Sequence, residues 1–297
     1  MITPQQKANK IAKKIGLNTD LFLKREDLHP LGSHKGRSLP LMIEKYFGDG
    51  VRNFVISSSG NAALAAAKYI SDHNSTHANK IKLEIFVGKN IDSAKWEILK
   101  QSTNHDPAIS IAQVSNPKQS AFQREKNTNP TSGLVKNLRQ STDETALLGY
   151  EELARELAEI KNLSAVFIPT SSGTLAEGLY DGFQKLNINP QIHIVQTTAC
   201  HPLVTNENIP TTLHSLAAAI VDKVAHRKNK ILELLKNSRG NGWVATDPEI
   251  KNAIELIQQT EYIDISPNSA LALVGLELAL ASGQKFSGPV VCILTGR

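Results

Sequence analysis

Short apolar runs alternate with longer amphipathic segments along most of the chain. Several of the runs are apolar nearly throughout, as expected for strands that are covered on both faces. The pattern predicts strands at Leu21–Lys24, Asn53–Ser57, Lys82–Val87, Ile109–Val114, Ala165–Pro169, Ile192–Thr197 and Val290–Leu294. It predicts helices at Lys35–Phe47, Asn61–Ser71, Ser93–Gln101, Thr145–Lys161, Thr174–Leu186, Pro248–Thr260 and Asn268–Ser282. This alternation predicts an α/β protein with parallel sheets built from right-handed βαβ units.

Two local features bear on this assignment. Pro40 lies inside the first long helical pattern and should kink that helix or delay its start, because proline lacks the N–H that a helix interior uses. The polar stretch Asn127–Asp143 carries no strong signal for a helix or a strand. We interpret that stretch as the crossing between two halves of the molecule.

Composition and charge exclude several classes of protein. Hydrophobic residues make up 40% of the 297 positions and charged residues 21%, which excludes a disordered or fibrous chain. The net charge of +5 comes without a dense basic block, so we expect no nucleic-acid partner. No apolar run approaches the roughly 20 residues of a membrane helix, and no secretory signal is evident. We therefore expect a soluble, cytoplasmic protein without a membrane partner.

No metal or disulfide site is predicted. The two cysteines, Cys200 and Cys292, are far apart, and no Cys-x-x-Cys motif occurs. His73 and His77 are four residues apart, but a zinc site needs three or four ligands and no third is evident.

Three loops at predicted helix starts carry chemistry. In Gly32–Arg37, Lys35 lies at the mouth of a helix, where the positive helix end depresses an amine pKa and favours a nucleophilic lysine. The loop Ser57–Ala63 offers hydroxyls, backbone donors and an Asn, which suit a carboxylate. The loop Thr170–Thr174 offers four hydroxyls and a row of N–H groups, which suit a phosphate dianion, although it is not a Walker loop.

The order and setting of these loops resemble a known family. Residues 21–28, Leu-Phe-Leu-Lys-Arg-Glu-Asp-Leu, resemble the opening strand of the fold type II pyridoxal-phosphate enzymes, which have the tryptophan-synthase-β-like fold. The segments Gly32–Lys35, Ser58–Ala63, Thr170–Thr174 and Leu294–Gly296 are similar to further motifs of that family. The match spans nearly the whole chain and is strongest with the threonine synthase and threonine dehydratase branch.

The resemblance implies the cofactor and the residues that bind it. Lys35 would form a Schiff base with pyridoxal 5′-phosphate and, once freed by substrate, would move the α-proton. The implied cofactor-binding residues are Lys35, His34, Asn61, Thr170, Ser171, Ser172, Gly173, Thr174 and Thr295. The implied substrate-carboxylate residues are Ser58, Ser59, Gly60 and Asn61. Thr295 would face the pyridine nitrogen, where a neutral hydroxyl favours loss of a β- or γ-leaving group over long-lived carbanion chemistry.

The family also implies a fold and a domain organisation. We expect two doubly wound domains with mostly parallel twisted sheets and the cofactor in the cleft between them. Residues 1–48 would form an N-terminal segment that carries the Schiff-base lysine and packs partly on the C-terminal domain. Residues 49–143 would form a smaller, mobile α/β domain, and residues 144–297 the C-terminal α/β domain with the phosphate loop. A homodimer is implied as well.

The reaction stays open between several hypotheses. The first is elimination or replacement at an amino acid with a β- or γ-leaving group, of the threonine synthase or serine/threonine dehydratase type. The second is β-replacement of the cysteine or tryptophan synthase type, which His34 favours because tryptophan synthase β chains carry His at that position. The third is a pyridoxal-phosphate-binding protein with weak catalysis, which Ser266 favours because Glu is typical there.

Overall fold

The computed structural model describes residues 2–103, 105–127, 133–204 and 211–296. The chain divides into two compact units. The larger unit comprises residues 1–29 and 150–297, and the smaller unit comprises residues 30–149. Residues 128–132, within the predicted crossing, and the terminal residues Met1 and Arg297 lie outside the described part of the chain.

The larger unit contains a six-stranded sheet in the order β1-β2-β10-β7-β8-β9. The first strand is antiparallel to its neighbour and the other strands are parallel. The strands are β1 (Gln5–Lys7), β2 (Leu21–Arg25), β7 (Ala165–Pro169), β8 (Gln191–Thr197), β9 (Gly242–Ala245) and β10 (Val290–Leu294). Because parallel strands point the same way, the loops that follow β2, β7, β8 and β10 leave the same edge of this sheet.

In the described part of the chain, the α-helices that belong to the larger unit in whole or in greater part are α1 (Asn9–Lys14), α6 (Thr145–Ala158), α7 (Thr174–Lys185), α8 (Lys228–Ser238), α9 (Asp247–Glu261) and α10 (Pro267–Ala281). A capping box of Thr246 and Glu249 fixes the start of α9, and the Ser266 hydroxyl accepts from the Ser269 N–H at the start of α10.

Alternate residues of the central strands face two separate hydrophobic clusters. Phe167, Cys292 and Leu294 pack in one cluster, with α10. Val166 and Ile293 pack in the other, with α7 and α8. The sheet is therefore covered on both faces, which explains why its strands are apolar without alternation.

The smaller unit contains a four-stranded parallel sheet in the order β5-β4-β3-β6. Its strands are β3 (Asn53–Ser57), β4 (Lys82–Gly88), β5 (Ile109–Val114) and β6 (Val135–Asn137). Its helices are α2 (Lys35–Gly48), α3 (Asn61–Thr76), α4 (Ser93–Ser102) and α5 (Pro117–Lys126).

The predicted fold class is confirmed: the protein is α/β, with mostly parallel sheets in two units. Each predicted strand and helix is present. Of the two effects predicted for Pro40, the delayed start is wrong, because α2 begins at Lys35 and runs through Pro40, and the kink stays a prediction. The sequence pattern missed β1, β6 and β9, which are only three or four residues long. The predicted helices also do not include α1, α5 and α8, of which α5 buries only Ala121.

The compact units do not divide where the sequence placed the domain boundaries. Residues 30–48 belong to the smaller unit, where α2 and α3 bury Leu39, Met42 and Ile70 in one cluster. Only residues 1–29 join the larger unit, because β2 pairs with β10 there. The predicted mobility of residues 49–143 stays a prediction.

Candidate active site

Lys35 is the first residue of α2, directly after a tight turn. Gly32 adopts a left-handed conformation with φ +84°, which a glycine tolerates without strain. The Ser33 hydroxyl accepts from the Lys35 N–H at 3.3 Å, and the Ser33 carbonyl accepts from the Gly36 N–H at 2.9 Å. The turn therefore fixes the backbone from which the Lys35 side chain extends.

The Lys35 amine has an altered acidity. The Lys35 residue is half-buried, and the protein surrounds its ammonium group. Removal of this group from water lowers the pKa of Lys35 from 10.5 to about 8. The cause is desolvation, which disfavours the charged form of a lysine. At pH 7.5, roughly a quarter of such amines are neutral, against about one in a thousand at the ordinary pKa. This arrangement gives a nucleophilic amine.

Lys35 follows His34, a half-buried residue that precedes the helix in a helical conformation and makes no capping bond from its side chain. The sequence hypothesis of a cofactor contact from His34 therefore rests on its position beside Lys35.

The loop that was predicted to bind a carboxylate follows β3 directly. Gly60 precedes α3 and has no side chain, so no side chain caps the first turn of that helix. The Ser58 hydroxyl accepts from the Gly60 N–H at 3.2 Å, which closes a local turn. Ser58, Ser59, Gly60 and Asn61 are all half-buried. A helix start without a side-chain cap, next to serine hydroxyls, is suited to an anionic group.

The predicted phosphate loop lies at the carboxyl end of β7, in the larger unit. Gly173 precedes α7 with φ +90° and supplies no capping side chain. The Ser172 and Thr174 hydroxyl oxygens are 2.9 Å apart and share a hydrogen bond. Hydroxyls and a helix start thus occur together, and this set of donors fits a phosphate dianion.

Two residues of this loop use their polar groups to hold it in place. Thr170 donates its hydroxyl proton to the Ile168 carbonyl at 2.8 Å and its N–H to the Val195 carbonyl at 2.9 Å. The Ser171 hydroxyl oxygen accepts from the N–H groups of Val221 and Asp222, at 3.1 and 3.2 Å. Thr170 therefore shapes the loop through both of its donors, whereas the Ser171 hydroxyl acts as an acceptor in both of these bonds.

Thr295 directly follows β10, the strand beside β7, and is buried. The next residue, Gly296, is bound to the start of α10, because the hydroxyls of Ser266 and Ser269 both donate to its carbonyl at 2.7 Å. Ser266 therefore has a structural role, since it caps α10 and fixes the segment that carries Thr295.

Within each unit, the structure brings predicted residues to the carboxyl edge of a sheet. The loop Thr170–Thr174 and Thr295 lie at one edge in the larger unit, while Ser58–Asn61 lie at the corresponding edge in the smaller unit. Parallel sheets bind ligands at this edge.

The charged residues at the carboxyl end of β2 form ion pairs. Lys24 is fully buried, pairs with Glu156 and donates to the Thr3 carbonyl at 2.7 Å. Arg25 makes two bonds to Asp27, at 2.8 and 2.9 Å. We interpret both pairs as structural, since buried charges need such partners.

Two polar residues that contact the phosphate loop or its helix, Gln196 and Arg227, were not predicted as site residues from the sequence. Gln196 in β8 donates to loop carbonyls, and Arg227 forms a buried ion pair with Glu177 of α7 at 2.7 Å. A signal existed for Gln196, because it is a polar residue that directly follows the apolar pair Ile194 and Val195 in β8.

Two cavities lie elsewhere in the described residues. One of about 460 Å³ is lined by Arg25, Ser266 and residues 262–265 of the larger unit. The other, of about 400 Å³, lies in the smaller unit around Tyr46, Lys136 and Asp143. Neither lining includes a residue predicted to bind the cofactor. Because Arg25 pairs with Leu294 in register, the first cavity is at the same sheet edge as Thr295.

The described ranges show neither a metal-binding cluster nor a membrane span. No group of three or more His, Cys, Asp or Glu side chains there is placed to hold a metal ion. No helix in this part of the chain is both long and apolar enough to cross a membrane.

Comparison with known proteins identifies the family. Residues 2–296 match the pyridoxal-phosphate dependent enzyme family, and the chain therefore belongs to it. Its cofactor is accordingly pyridoxal 5′-phosphate.

Individual relatives agree with this assignment. The threonine synthase of Halalkalibacterium halodurans is 25% identical over 303 residues, which cover 99% of this chain and 81% of the relative. The crystal structure of an L-serine ammonia-lyase from the fungus Rhizomucor miehei is similar, with a TM-score of 0.77 and 18% identity, covering 100% of this chain and 93% of the other. A pyridoxal 5′-phosphate-dependent aspartate racemase is similar, with a TM-score of 0.81, 16% identity and coverages of 100% and 90%. These two structures share the fold.

Proposed function

We propose that the protein is a carbon–oxygen lyase of the threonine synthase type, acting on a small amino acid with a leaving group on its β- or γ-carbon. The observation that carries the proposal is Lys35, an amine with a pKa lowered to about 8 at the start of α2. The match of 99% of the chain to a threonine synthase supports the choice within the family.

The residues present fit pyridoxal 5′-phosphate. The first turn of α7 has no side-chain cap and lies beside the Ser172 and Thr174 hydroxyls, which suits the phosphate group. We assign phosphate binding to Ser171, Ser172, Gly173 and Thr174, with Thr170 supporting the loop and His34 as a further donor. When bound, the cofactor supplies an electron sink that stabilises negative charge at the substrate α-carbon.

The chain itself would position groups and move a proton. Lys35 would bind the cofactor covalently through Nζ and, when displaced by the substrate, would take the α-proton with its neutral amine. The low pKa keeps that amine neutral often enough to act as a base. Ser58, Ser59, Gly60 and Asn61 would bind the substrate carboxylate, and Asn61 would also orient the cofactor ring.

Thr295 would set the type of reaction. A hydroxyl beside the pyridine nitrogen does not hold a proton there as a carboxylate would, so the ring withdraws electrons less strongly. This favours reactions that expel a leaving group quickly.

A second candidate is β-replacement of the cysteine or tryptophan synthase type. Its support is His34, since tryptophan synthase β chains carry His beside their Schiff-base lysine. The cytoplasmic location and the homodimer stay predictions.

The test starts from the wild-type chain and two lysine variants. Purified wild-type protein should bind pyridoxal 5′-phosphate with a visible absorption band, and borohydride should fix the cofactor covalently. Lys35→Ala should lose both the band and the covalent product. Lys45→Ala is the matched control, because Lys45 lies on the same helix but is exposed and paired with Asp49. A band that survives in Lys35→Ala would contradict the assignment.

The pH dependence and the products complete the test. The rate at which cofactor-free protein captures the aldehyde should rise with pH and level off above about 8, instead of rising on towards 10.5. A panel of L-serine, L-threonine and an O-phosphorylated homoserine, with assays for keto acid, ammonia and released phosphate, distinguishes the reactions. Phosphate release with threonine formation supports the proposal, whereas keto acid alone supports a dehydratase.

A further inference from the structure

We infer that Gln196 is a positioning residue, which orients the backbone N–H groups of the loop Thr170–Thr174 towards the cofactor phosphate. The inference rests on the proposed function, because it concerns the same phosphate site. Gln196 is fully buried, one residue from the end of β8. Nothing in the proposed chemistry requires a polar residue there, so its amide needs an explanation.

The Gln196 side chain uses both its donor and its acceptor. Its Nε2 donates to the carbonyls of Thr170 and Ser171, at 3.2 and 3.5 Å. Its Oε1 accepts from the Leu203 N–H at 2.9 Å, which holds the amide in one orientation. The side chain therefore binds two successive peptide groups of the loop from one side.

Peptide geometry turns these contacts into an orientation of donors. In a planar trans peptide, the carbonyl of one residue and the N–H of the next point in opposite directions. Because Gln196 holds the carbonyls of Thr170 and Ser171, the N–H groups of Ser171 and Ser172 point away from Gln196. Successive N–H groups directed away from the protein core form a concave anion site. The amide thus prepares the loop for a phosphate before the phosphate binds.

The other hydrogen bonds of the loop do not orient the carbonyls of Thr170 and Ser171. The Thr170 N–H and hydroxyl hold the beginning of the loop to Val195 and Ile168, and the Ser171 hydroxyl accepts from Val221 and Asp222. None of these bonds fixes the carbonyls of residues 170 and 171. Without the Gln196 donor, both peptide groups gain freedom to rotate, and the cofactor would have to order them on binding.

Two variants remove the donor in different ways. Gln196→Leu removes all polar contacts of this side chain and replaces it with an apolar one of similar size. Gln196→Glu keeps the shape and the acceptor for Leu203 but places a carboxylate opposite the two carbonyls. The Glu variant is measured with EDTA present, because a carboxylate beside two carbonyls is an oxygen set that divalent cations bind.

The informative measurement compares two ligands, pyridoxal 5′-phosphate and pyridoxal, which lacks the phosphate. Absorbance titration of cofactor-free protein gives both affinities. We expect each Gln196 variant to bind the phosphorylated ligand at least about tenfold more weakly, since hydrogen bonds to a charged phosphate are strong. The affinity for pyridoxal should change by less than about threefold. If Gln196 were needed for folding alone, its variants would lose affinity for both ligands to the same extent.

Thr197→Val is the matched control. Thr197 is the next residue of β8, is fully buried, and its hydroxyl has no hydrogen-bond partner among the described residues. Thr197→Val removes a buried hydroxyl, keeps the side chain at a similar size and leaves the contacts of the loop carbonyls unchanged. Its affinities for both ligands should match those of the wild type.

The outcomes separate this inference from the proposed function. Gln196 variants that bind both ligands as the wild type does, or that lose both equally, overturn the inference and leave the proposed function standing. A wild-type chain that binds neither ligand overturns both. If Gln196→Leu does not fold, as judged by circular dichroism, Gln196→Glu decides alone.

Discussion

Gly173 shows how one residue fixes the shape of the phosphate loop. Its φ of +90° is strained for any residue with a side chain. A Cβ there would also lie 2.7 Å from the Ile231 side chain of α8. We expect Gly173→Ala to lower the free energy of unfolding by about 2–4 kcal/mol, from backbone strain plus overpacking. Urea unfolding of the cofactor-free protein measures this loss.

Gly283→Ala separates the two causes. Gly283 has φ +87°, but nothing lies within 4 Å of the Cβ position. Gly283→Ala should therefore lower the free energy of unfolding by the backbone strain alone, about 1 kcal/mol. Equal losses in the two variants would mean that the contact with Ile231 costs nothing.

Among the secondary-structure elements, the start of α7 depends on an ion pair with the residue that precedes α8. Glu177 in the first turn of α7 carries a negative charge, which would repel a phosphate at the same helix start. Arg227 neutralises it at 2.7 Å, and both residues are buried. We expect Arg227→Met to lower the free energy of unfolding by about 3–5 kcal/mol, because it leaves a buried charge without this partner.

The double variant Arg227→Met with Glu177→Gln tests this explanation by urea unfolding. Removing both charges should restore a large part of the lost stability, because no unpaired charge stays buried. A double variant as unstable as the sum of the two single variants would show that the pair is not coupled.

For the whole molecule, His193 makes a contribution to stability that is lost in acid below neutral pH, while Glu277, whose pKa burial raises to about 7, contributes in the opposite direction over part of this range. His193 is fully buried between Phe167 and Trp243, and burial lowers its pKa to about 3. Trp243 donates to its Nδ1 at 3.2 Å, so the proton is assigned to Nε2, next to Gln191. The unfolded chain takes up a proton on His193 below about pH 6.5 and the folded chain does not, so the contribution of His193 to stability falls as pH drops from about 6.5 to 3. The loss should be about 2 kcal/mol at pH 5.

Unfolding in urea at several pH values measures this slope. His193→Gln is the informative variant, because an amide does not titrate in this range but can still accept from Trp243. It should unfold more easily at pH 7 and show a shallower slope between pH 6.5 and 4. An unchanged slope would assign the acid loss to other groups.

The sequence by itself determined the fold class and the helix starts at which the candidate site residues lie. The strands around Phe167 and Ile293 are apolar throughout, and this local pattern suffices to predict a covered parallel sheet. Lys35, Asn61 and Thr174 were placed correctly at helix starts, because small residues before a helical pattern mark such starts locally. The family membership followed from the same motifs.

Tertiary structure decided what the sequence pattern does not encode. The strands β1, β6 and β9 are too short to show periodicity and exist because a neighbouring strand pairs with them. The pKa of Lys35 depends on the burial of its amine, which the local sequence does not encode. The role of Gln196 also depends on the pairing of β7 with β8, since only that pairing brings its amide to the carbonyls of Thr170 and Ser171. Local propensity fixed the elements and their order, while burial in the folded chain fixed the acidity of Lys35 and strand pairing fixed the orientation of the Gln196 amide.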